Sequence, residues 1–299
     1  VLRIAHHIGY DAGFPDDHRF PMRKYSALMH ALDHSGVLER ARLLTPALPA
    51  PALSAHAHDA AYVAQVHAAA VPPEIEAQIG FPVTRAVADR ALLATAGTLL
   101  CAEMALTHGL ALNTAGGSHH ARRAHGAGFC TLNDVAVAAL ALRAAGRAAR
   151  ILIVDCDVHQ GDGTAEILDG EDGVFTLSIH CAANYPVRKE RSSLDVALDP
   201  GTGDDAYLAA LDAALGQAGK AIRPDIVFYN AGVDVHREDR LGRLALSDEG
   251  IAARDRRVLS RFARAGIPLC GVIGGGYSRD IEVLAKRHAI LFQTALDFA

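Results

Sequence analysis

Apolar residues in this chain follow two alternating rhythms. Short runs rich in Val, Ile, Leu and Phe recur at residues 2–5, 110–113, 151–154, 174–179, 226–229 and 268–273. Between them lie longer stretches with helical spacing, at residues 22–38, 58–66, 84–108, 133–145, 204–218, 247–265 and about 279–296. Runs of four to eight apolar residues bounded by turn formers read as strands, and the longer periodic stretches as helices. Gly146 closes one helix and Ser247 is placed to cap another. Strands that are apolar throughout and separated by helices predict a parallel sheet covered on both faces. The Pro-rich stretches 45–51 and 71–82 read as loops.

The polar residues break this pattern in one systematic place, the C-terminal ends of the strands. The run 110–113 leads to Gly116-Gly117-Ser118-His119-His120, 151–154 to Asp155-Cys156-Asp157-Val158-His159, and 226–229 to Asp234. In open α/β sheets, ligands gather outside the carboxyl ends of parallel strands. Asp157 and His159 are two apart on extended backbone, so they point the same way. With Asp234 from a neighbouring strand they make two carboxylates and one imidazole. That set leaves a position open for water and substrate, as a catalytic zinc site requires. It is hard enough to accept iron, manganese or cobalt.

Asp155 shares the side of Asp157, and it can orient one histidine of the pair while Asp162 orients the other. Beside a metal, one histidine takes a proton from water, and either or both can protonate a leaving amine. Tyr277 follows Gly274-Gly275-Gly276, where its phenol can donate to a carbonyl oxygen gaining charge. Phe129, after Gly128, and Tyr185 are candidate walls of a narrow tunnel, with ordinary core packing the alternative for Phe129.

With 299 residues, 51% of them hydrophobic, the chain can bury one large core or two, and nothing resembling a linker divides it. A net charge of −5 argues against a nucleic-acid footprint. The arginines from Arg254 to Arg264 fall at helical spacing and read as a solvated face, whereas Arg122 and Arg123 lie beside the histidine pair and can face substrate. Cys101, Cys130, Cys156, Cys181 and Cys270 show no CxxC spacing, which suggests reduced, buried thiols. No signal peptide and no run long enough to span a bilayer stand out, so cytoplasmic action is the expectation, with no membrane and no nucleic-acid partner.

Taken together, GGSHHA, GFC followed by Asn133-Asp134, DCDVHQGDGT, Ser178-Ile179-His180, AGVD and GGGY resemble the histone deacetylase family of zinc-dependent lysine deacylases. That family also includes acetylpolyamine amidohydrolases and acetoin-utilisation proteins. The similarity runs through essentially the whole chain. The opening Asp11 to Phe14 with His18 to Pro21, and the run 201–207, look most like the class IV branch and its bacterial relatives. The resemblance implies one catalytic domain over residues 1–299 with a three-layer arginase–deacetylase fold, a single mainly parallel sheet of about eight strands with helices on both faces.

By the same resemblance, Asp157, His159 and Asp234 match the zinc ligands. His119 pairs with Asp155 and His120 with Asp162, His120 being the usual general base and acid. Tyr277 polarises the acyl carbonyl. Gly128, Phe129, Tyr185 and Gly275 are the candidate substrate-binding residues, and the resemblance matches Arg23 to the arginine at the foot of the acyl cavity. A potassium-type ion is implied beneath the zinc, at Asp155, Asp157, His159, Ser178 and Ile179. The implied substrate is an acyl-lysine peptide or protein, or a small acylated amine such as an acetylpolyamine, whose site would want carboxylates at the mouth; Glu74 and Glu76 leave that open. A non-catalytic acyl-lysine-binding module would have lost a ligand or the tyrosine, and an arginase-like ureohydrolase would need more carboxylates for two metals.

Overall fold

Every strand pairing in the main sheet is parallel. The computed structural model describes residues 1–299. The strands are β1 (Leu2–Ala5), β2 (Ala41–Leu44), β3 (Leu110–Asn113), β4 (Ile151–Asp155), β5 (Val174–Cys181), β6 (Leu194–Leu198), β7 (Ile226–Asn230) and β8 (Leu269–Val272). They form one sheet of eight in the order β2-β1-β3-β8-β7-β4-β5-β6, paired in parallel at each step. This is the arginase–deacetylase architecture that the resemblance implied.

The helices are α1 (Lys24–His34), α2 (Pro51–Ser54), α3 (Ala60–Ala68), α4 (Pro73–Ile79), α5 (Arg85–His108), α6 (Asp134–Ala144), α7 (Asp162–Leu168), α8 (Asp204–Ala221), α9 (Asp248–Arg264) and α10 (Ile281–Ala295). Side chains alternate across a strand, and here the alternation sorts the core into two layers. Leu152, Val154, Val227 and Tyr229 belong to one buried cluster. Their neighbours Ile151, Ile153, Ile226 and Phe228 belong to the other. Helices α5 and α6 pack on each other, as do α10 and α1, and α10 and α9.

The structure corrects several sequence expectations. The edge strands β2 and β6 were not foreseen. Both are half exposed, so they lack the continuous apolar signature of the six interior strands. The stretch 71–82 contains helix α4, which starts with Pro73 in its first turn, where a missing N–H costs nothing. Helix α1 is shorter than the periodic run that announced it. Helix α5 is long and apolar enough to cross a membrane by length and composition alone, contrary to expectation; here its buried residues pack against α6, β3 and β8. The five cysteines are all free and buried.

The topology explains where the chemistry gathers. In strand order, β3, β8, β7 and β4 are consecutive neighbours at the centre of the sheet. Being parallel, they end on the same edge. The histidine pair follows β3, the glycine-rich tyrosine turn follows β8, Asp234 follows β7, and Asp157 and His159 follow β4. Four segments far apart in sequence are thereby delivered to one place.

Candidate active site

Asp157, His159 and Asp234 are all buried, and each offers one ligand atom lying within 4.8 Å of the others. The His159 Nδ1 stands 3.0 Å from Asp157 Oδ1 and 3.2 Å from Asp234 Oδ2. Backbone N–H groups aim the carboxylates. Gly275 N–H donates to Asp157 Oδ2 at 2.7 Å, His159 N–H to Asp157 Oδ1 at 3.0 Å, and Val158 N–H to Asp234 Oδ1 at 2.9 Å. A Cβ on Gly275 would strike both carboxylates, so this position admits only hydrogen. Two buried carboxylates converge on one imidazole, and neither is ion-paired to a lysine or arginine. Buried carboxylates of that kind need protons or a cation to balance them, and the donor set fits a divalent metal. Burial, and then the charge of Asp157, raises Asp234 to about 7. Burial opposes protonation of His159, but its two carboxylate partners outweigh it and lift the imidazole to about 10.

The histidine pair lies directly beside this cluster. His119 Nδ1 donates to Asp155 Oδ2 at 2.7 Å, and its Nε2 is 3.7 Å from Asp157 Oδ1. His120 Nδ1 donates to Asp162 Oδ1 at 2.5 Å. Both carboxylates are held in turn. Asn230 Nδ2 and the Asp157 N–H donate to Asp155 Oδ1 at 3.0 and 3.1 Å, and Arg122 Nη2 donates to Asp162 Oδ2 at 2.7 Å. With Nδ1 committed on each ring, Nε2 is the atom left free to exchange a proton. The two environments differ. Burial lowers His119, but Asp155 and Asp157 outweigh it and raise the imidazole to about 9. Burial, reinforced by the charge of His119, pushes His120 down to about 4.

Asp134, at the first turn of α6, accepts from the N–H groups of Gly117 and Ser118 at 3.2 and 2.8 Å and from the Thr98 hydroxyl at 2.6 Å. The loop before the histidines is thus fixed to a helix. The Asn133-Asp134 motif carried this signal, although the bracing role was not read from it.

The candidate tunnel residues also converge. Phe129, Tyr185 and Tyr277 line one cavity of about 390 Å³ that reaches His120 and His159 from the surface. Phe129 has φ +66° directly after Gly128 at φ +53°, a left-handed pair that is rare outside turns. Its N–H donates to Ile79 O at 2.7 Å, and Gly128 N–H to Gln78 O at 3.0 Å, so the end of α4 holds this wall. The Tyr185 ring meets His120 edge-on at 4.8 Å. Tyr277 is set by its own N–H, which donates to Asp239 Oδ2 at 2.7 Å.

Arg23 is not brought to the site. Its side chain is exposed and paired with Asp16 at 3.1 Å, because it precedes the turn that buries its neighbour. Lys24 takes that place: it is buried, with Nζ donating to Gly274 O at 3.0 Å, and it lies with Arg90, Phe20 and Tyr25 around a cavity of only about 20 Å³ behind Tyr277. The sequence reading missed Lys24 and Arg90, since a lysine in one helix and an arginine in another carry no motif. Nor does Arg122 face substrate; besides Asp162, it pairs with Glu166 and Glu190. Of the positions expected around a potassium-type ion, Asp155 and Ser178 face each other in register across β4 and β5, with Ile179 next on β5 and Asp157 and His159 just beyond β4. The Ser178 hydroxyl is 3.0 Å from His180 Nδ1.

A family profile described as the histone deacetylase domain matches residues 18–293. The chain belongs to the histone deacetylase family. It is 45% identical over 294 residues to an uncharacterized protein of Picosynechococcus sp., with 98% of each chain covered. It is 38% identical over 188 residues to histone deacetylase 2 of Arabidopsis thaliana, covering 62% of this chain and 48% of that protein. A probable deacetylase of Archaeoglobus fulgidus is 34% identical over 207 residues, covering 64% of this chain and 57% of that protein. The matched segments therefore span about half of those two relatives. The crystal structure of the HDA15 HD domain shares the fold, at a TM-score of 0.78 and 23% identity over 99% of this chain and 92% of that one. Membership in this family, which is generally zinc-dependent, supports a deacetylase-type hydrolase.

Proposed function

We propose that this member of the histone deacetylase family removes small acyl groups from Nε-acyl-lysine with a zinc ion at Asp157, His159 and Asp234. The observation that carries the reading is the pair of carboxylate-anchored histidines set against a buried Asp-His-Asp cluster at the end of a tunnel. Bound there, the metal would supply Lewis-acid polarisation and a more acidic water. The protein's own residues do the rest. Phe129 and Tyr185 hold an extended, uncharged chain and exclude water around it. His120, its Nδ1 fixed by Asp162, accepts the water proton at Nε2 as the oxygen attacks the amide carbon. Tyr277 donates its hydroxyl to the carbonyl oxygen as charge builds there. A protonated imidazole of the pair returns a proton to the amine nitrogen, the C–N bond breaks, and a carboxylate and an amine leave. A potassium-type ion at the ends of β4 and β5 belongs to the same proposal, with no step assigned to it.

Acyl size follows from the cavity behind Tyr277. About 20 Å³ is close to what one water occupies. It suits an acetyl methyl better than a long fatty chain, the alternative that a class IV resemblance raises. The test is hydrolysis of acetyl-, octanoyl- and myristoyl-lysine peptides and acetylated polyamines by zinc-loaded protein, with and without a hydroxamate chelator. Chelator-sensitive release from the acetyl peptide, with the longer chains slower, is expected. Release from polyamines alone would overturn the substrate class, and a preference for myristoyl would overturn the acyl size.

A further inference from the structure

The entrance of the tunnel is lined by positive charge in a chain that is negative overall. Two arginines line it, Arg19 from the segment before α1 and Arg243 from the segment between β7 and α9, together with Gln78, Asn184 and Tyr185. No aspartate or glutamate is among the residues lining this cavity. Both arginines are exposed, and neither guanidinium makes an ion pair or hydrogen bond with the protein. Several other arginines are paired, among them Arg23 with Asp16, Arg122 with Asp162, Arg150 with Asp225, Arg257 with Asp212 and Arg287 with Glu238; what sets Arg19 and Arg243 apart from the remaining unpaired ones is that they line the cavity. In a chain of net charge −5, two free cations at this opening run against the overall charge.

None of the acidic groups near the mouth lines the cavity; Asp17, two residues before Arg19, is exposed and has no partner within the protein. Glu76 accepts from the Val83 N–H at 2.6 Å, and neither Glu74 nor Glu76 lines the cavity. Asp239 is occupied by the N–H groups of Leu241, Gly242 and Tyr277. The backbone of Arg243 is pinned, its N–H donating to Asn184 Oδ1 at 3.0 Å and its carbonyl accepting from Gly201 at 2.7 Å. This cation is therefore presented at the mouth by a fixed main chain, and its guanidinium has no partner within the protein.

We infer that Arg19 and Arg243 select acylated amines carrying a carboxylate close to the acylated nitrogen, and turn away those carrying further ammonium groups. The inference rests on the deacylase reading and names its substrate class. An acetylpolyamine would bring its remaining positive charges against two guanidinium groups. An acetyl-lysine flanked by Asp or Glu, or the free amino acid with its α-carboxylate, would bring the complementary charge. Exposed pairs of this kind act mostly through encounter rate and modest affinity, and both weaken with salt.

The experiment measures binding by fluorescence anisotropy and kcat/KM on the same labelled peptides: capped acetyl-lysine peptides with Asp, Asn or Lys on either side. A second arm compares free Nε-acetyl-lysine with its α-amide by competition and turnover. At low salt the Asp peptide is expected to exceed the Lys peptide by about three- to tenfold in both affinity and kcat/KM. The ratio should fall towards one at about 0.5 M salt, where screening extends only a few ångströms. It should also fall towards one in the double variant Arg19→Gln, Arg243→Gln. A preference in the peptide arm alone locates the carboxylate in a polypeptide, and one in the amino-acid arm alone locates it in a small molecule. Equal handling of Asp and Lys peptides, or a preference that survives the double variant, would overturn the inference and leave the deacylase reading intact. Charge-dependent binding with no turnover of any amide would do the reverse.

Discussion

The floor of this site and its mouth are built in opposite ways. The floor comes from the ends of four adjacent central strands, and Asp134, Asp155, Asp157, Asp162 and Asp234 are each tied by at least one hydrogen bond from a named donor. The mouth comes from four segments that share no sheet, carrying Arg19, Gln78 to Gly80, Asn184 to Tyr185 and Leu241 to Arg243. Tyr185 is 44% exposed there, and both arginine heads are free. The contrast says that groups which must hold a proton or a metal to fractions of an ångström sit just past the ends of central strands and are braced by hydrogen bonds, while groups that meet a variable substrate are carried on segments outside the sheet. Damage to the floor should therefore be catastrophic and specific, and damage to the mouth graded.

The largest effect should separate the metal-holding residues from the proton-handling ones. Asp157→Ala or Asp234→Ala is expected to lose both bound zinc and turnover, since each removes one of three protein ligands. His120→Ala should keep near-stoichiometric zinc yet lose about 10²- to 10⁴-fold in turnover, and Tyr277→Phe about 10²- to 10³-fold. Metal content by mass spectrometry beside steady-state kinetics checks this. If His120→Ala lost its zinc too, the division of labour within the floor would be wrong.

A smaller effect should come from residues that act through His120. Asp162 holds the imidazole, and Arg122 holds Asp162. Asp162→Asn is expected to cost about 10- to 100-fold in turnover, through the tautomer and orientation of the ring. Arg122→Ala should cost less, because Arg122 touches neither ring nor cavity. Kinetics over a range of pH would check the order: Asp162→Asn should move the limb belonging to the base, and Arg122→Ala should leave it nearly in place. Equal losses in the two variants would mean that Arg122 does more than support the carboxylate.

The same contrast explains what could be read from the sequence. Asp157, His159, Asp155 and the histidine pair sit within a few residues of strand ends, so periodicity alone puts them on one edge. The six interior strands were legible because burial on both faces leaves them continuously apolar, whereas β2 and β6, half exposed at the sheet edges, were not. The mouth was illegible for a different reason. Arg19 and Arg243 come together only through the fold, and an isolated arginine in a loop has no pattern. Arg23 was expected at the foot where the structure puts Lys24. The two are adjacent in sequence, and the first turn of α1 decides which side chain enters the core. Glu76, which as an acidic residue on a rim-like stretch invited a substrate role, instead accepts from the backbone of the next turn.

A last prediction concerns stability, with no change in turnover expected, and tests how firmly the floor is seated. His58 is buried, and its Nδ1–H donates to Arg122 O at 2.8 Å while its Nε2 accepts from the Asn133 N–H at 2.9 Å. It thus ties the end of the histidine loop to the start of α6, and the second bond requires a neutral ring. Burial is the main cause that lowers His58 from 6.5 to about 4. A base depressed on folding contributes stability that is fully present above its unfolded value. That stability drains away as pH falls from about 6.5 towards 4, because the unfolded chain binds a proton that the folded one refuses. The loss across that range is about 3 kcal/mol by the usual conversion. His58→Gln removes the titration. Urea unfolding of both proteins across that range should therefore show the stability advantage of the wild type shrinking as pH falls. A gap independent of pH would mean that His58 only fills space, and that the histidine loop is held by Asp134 without it.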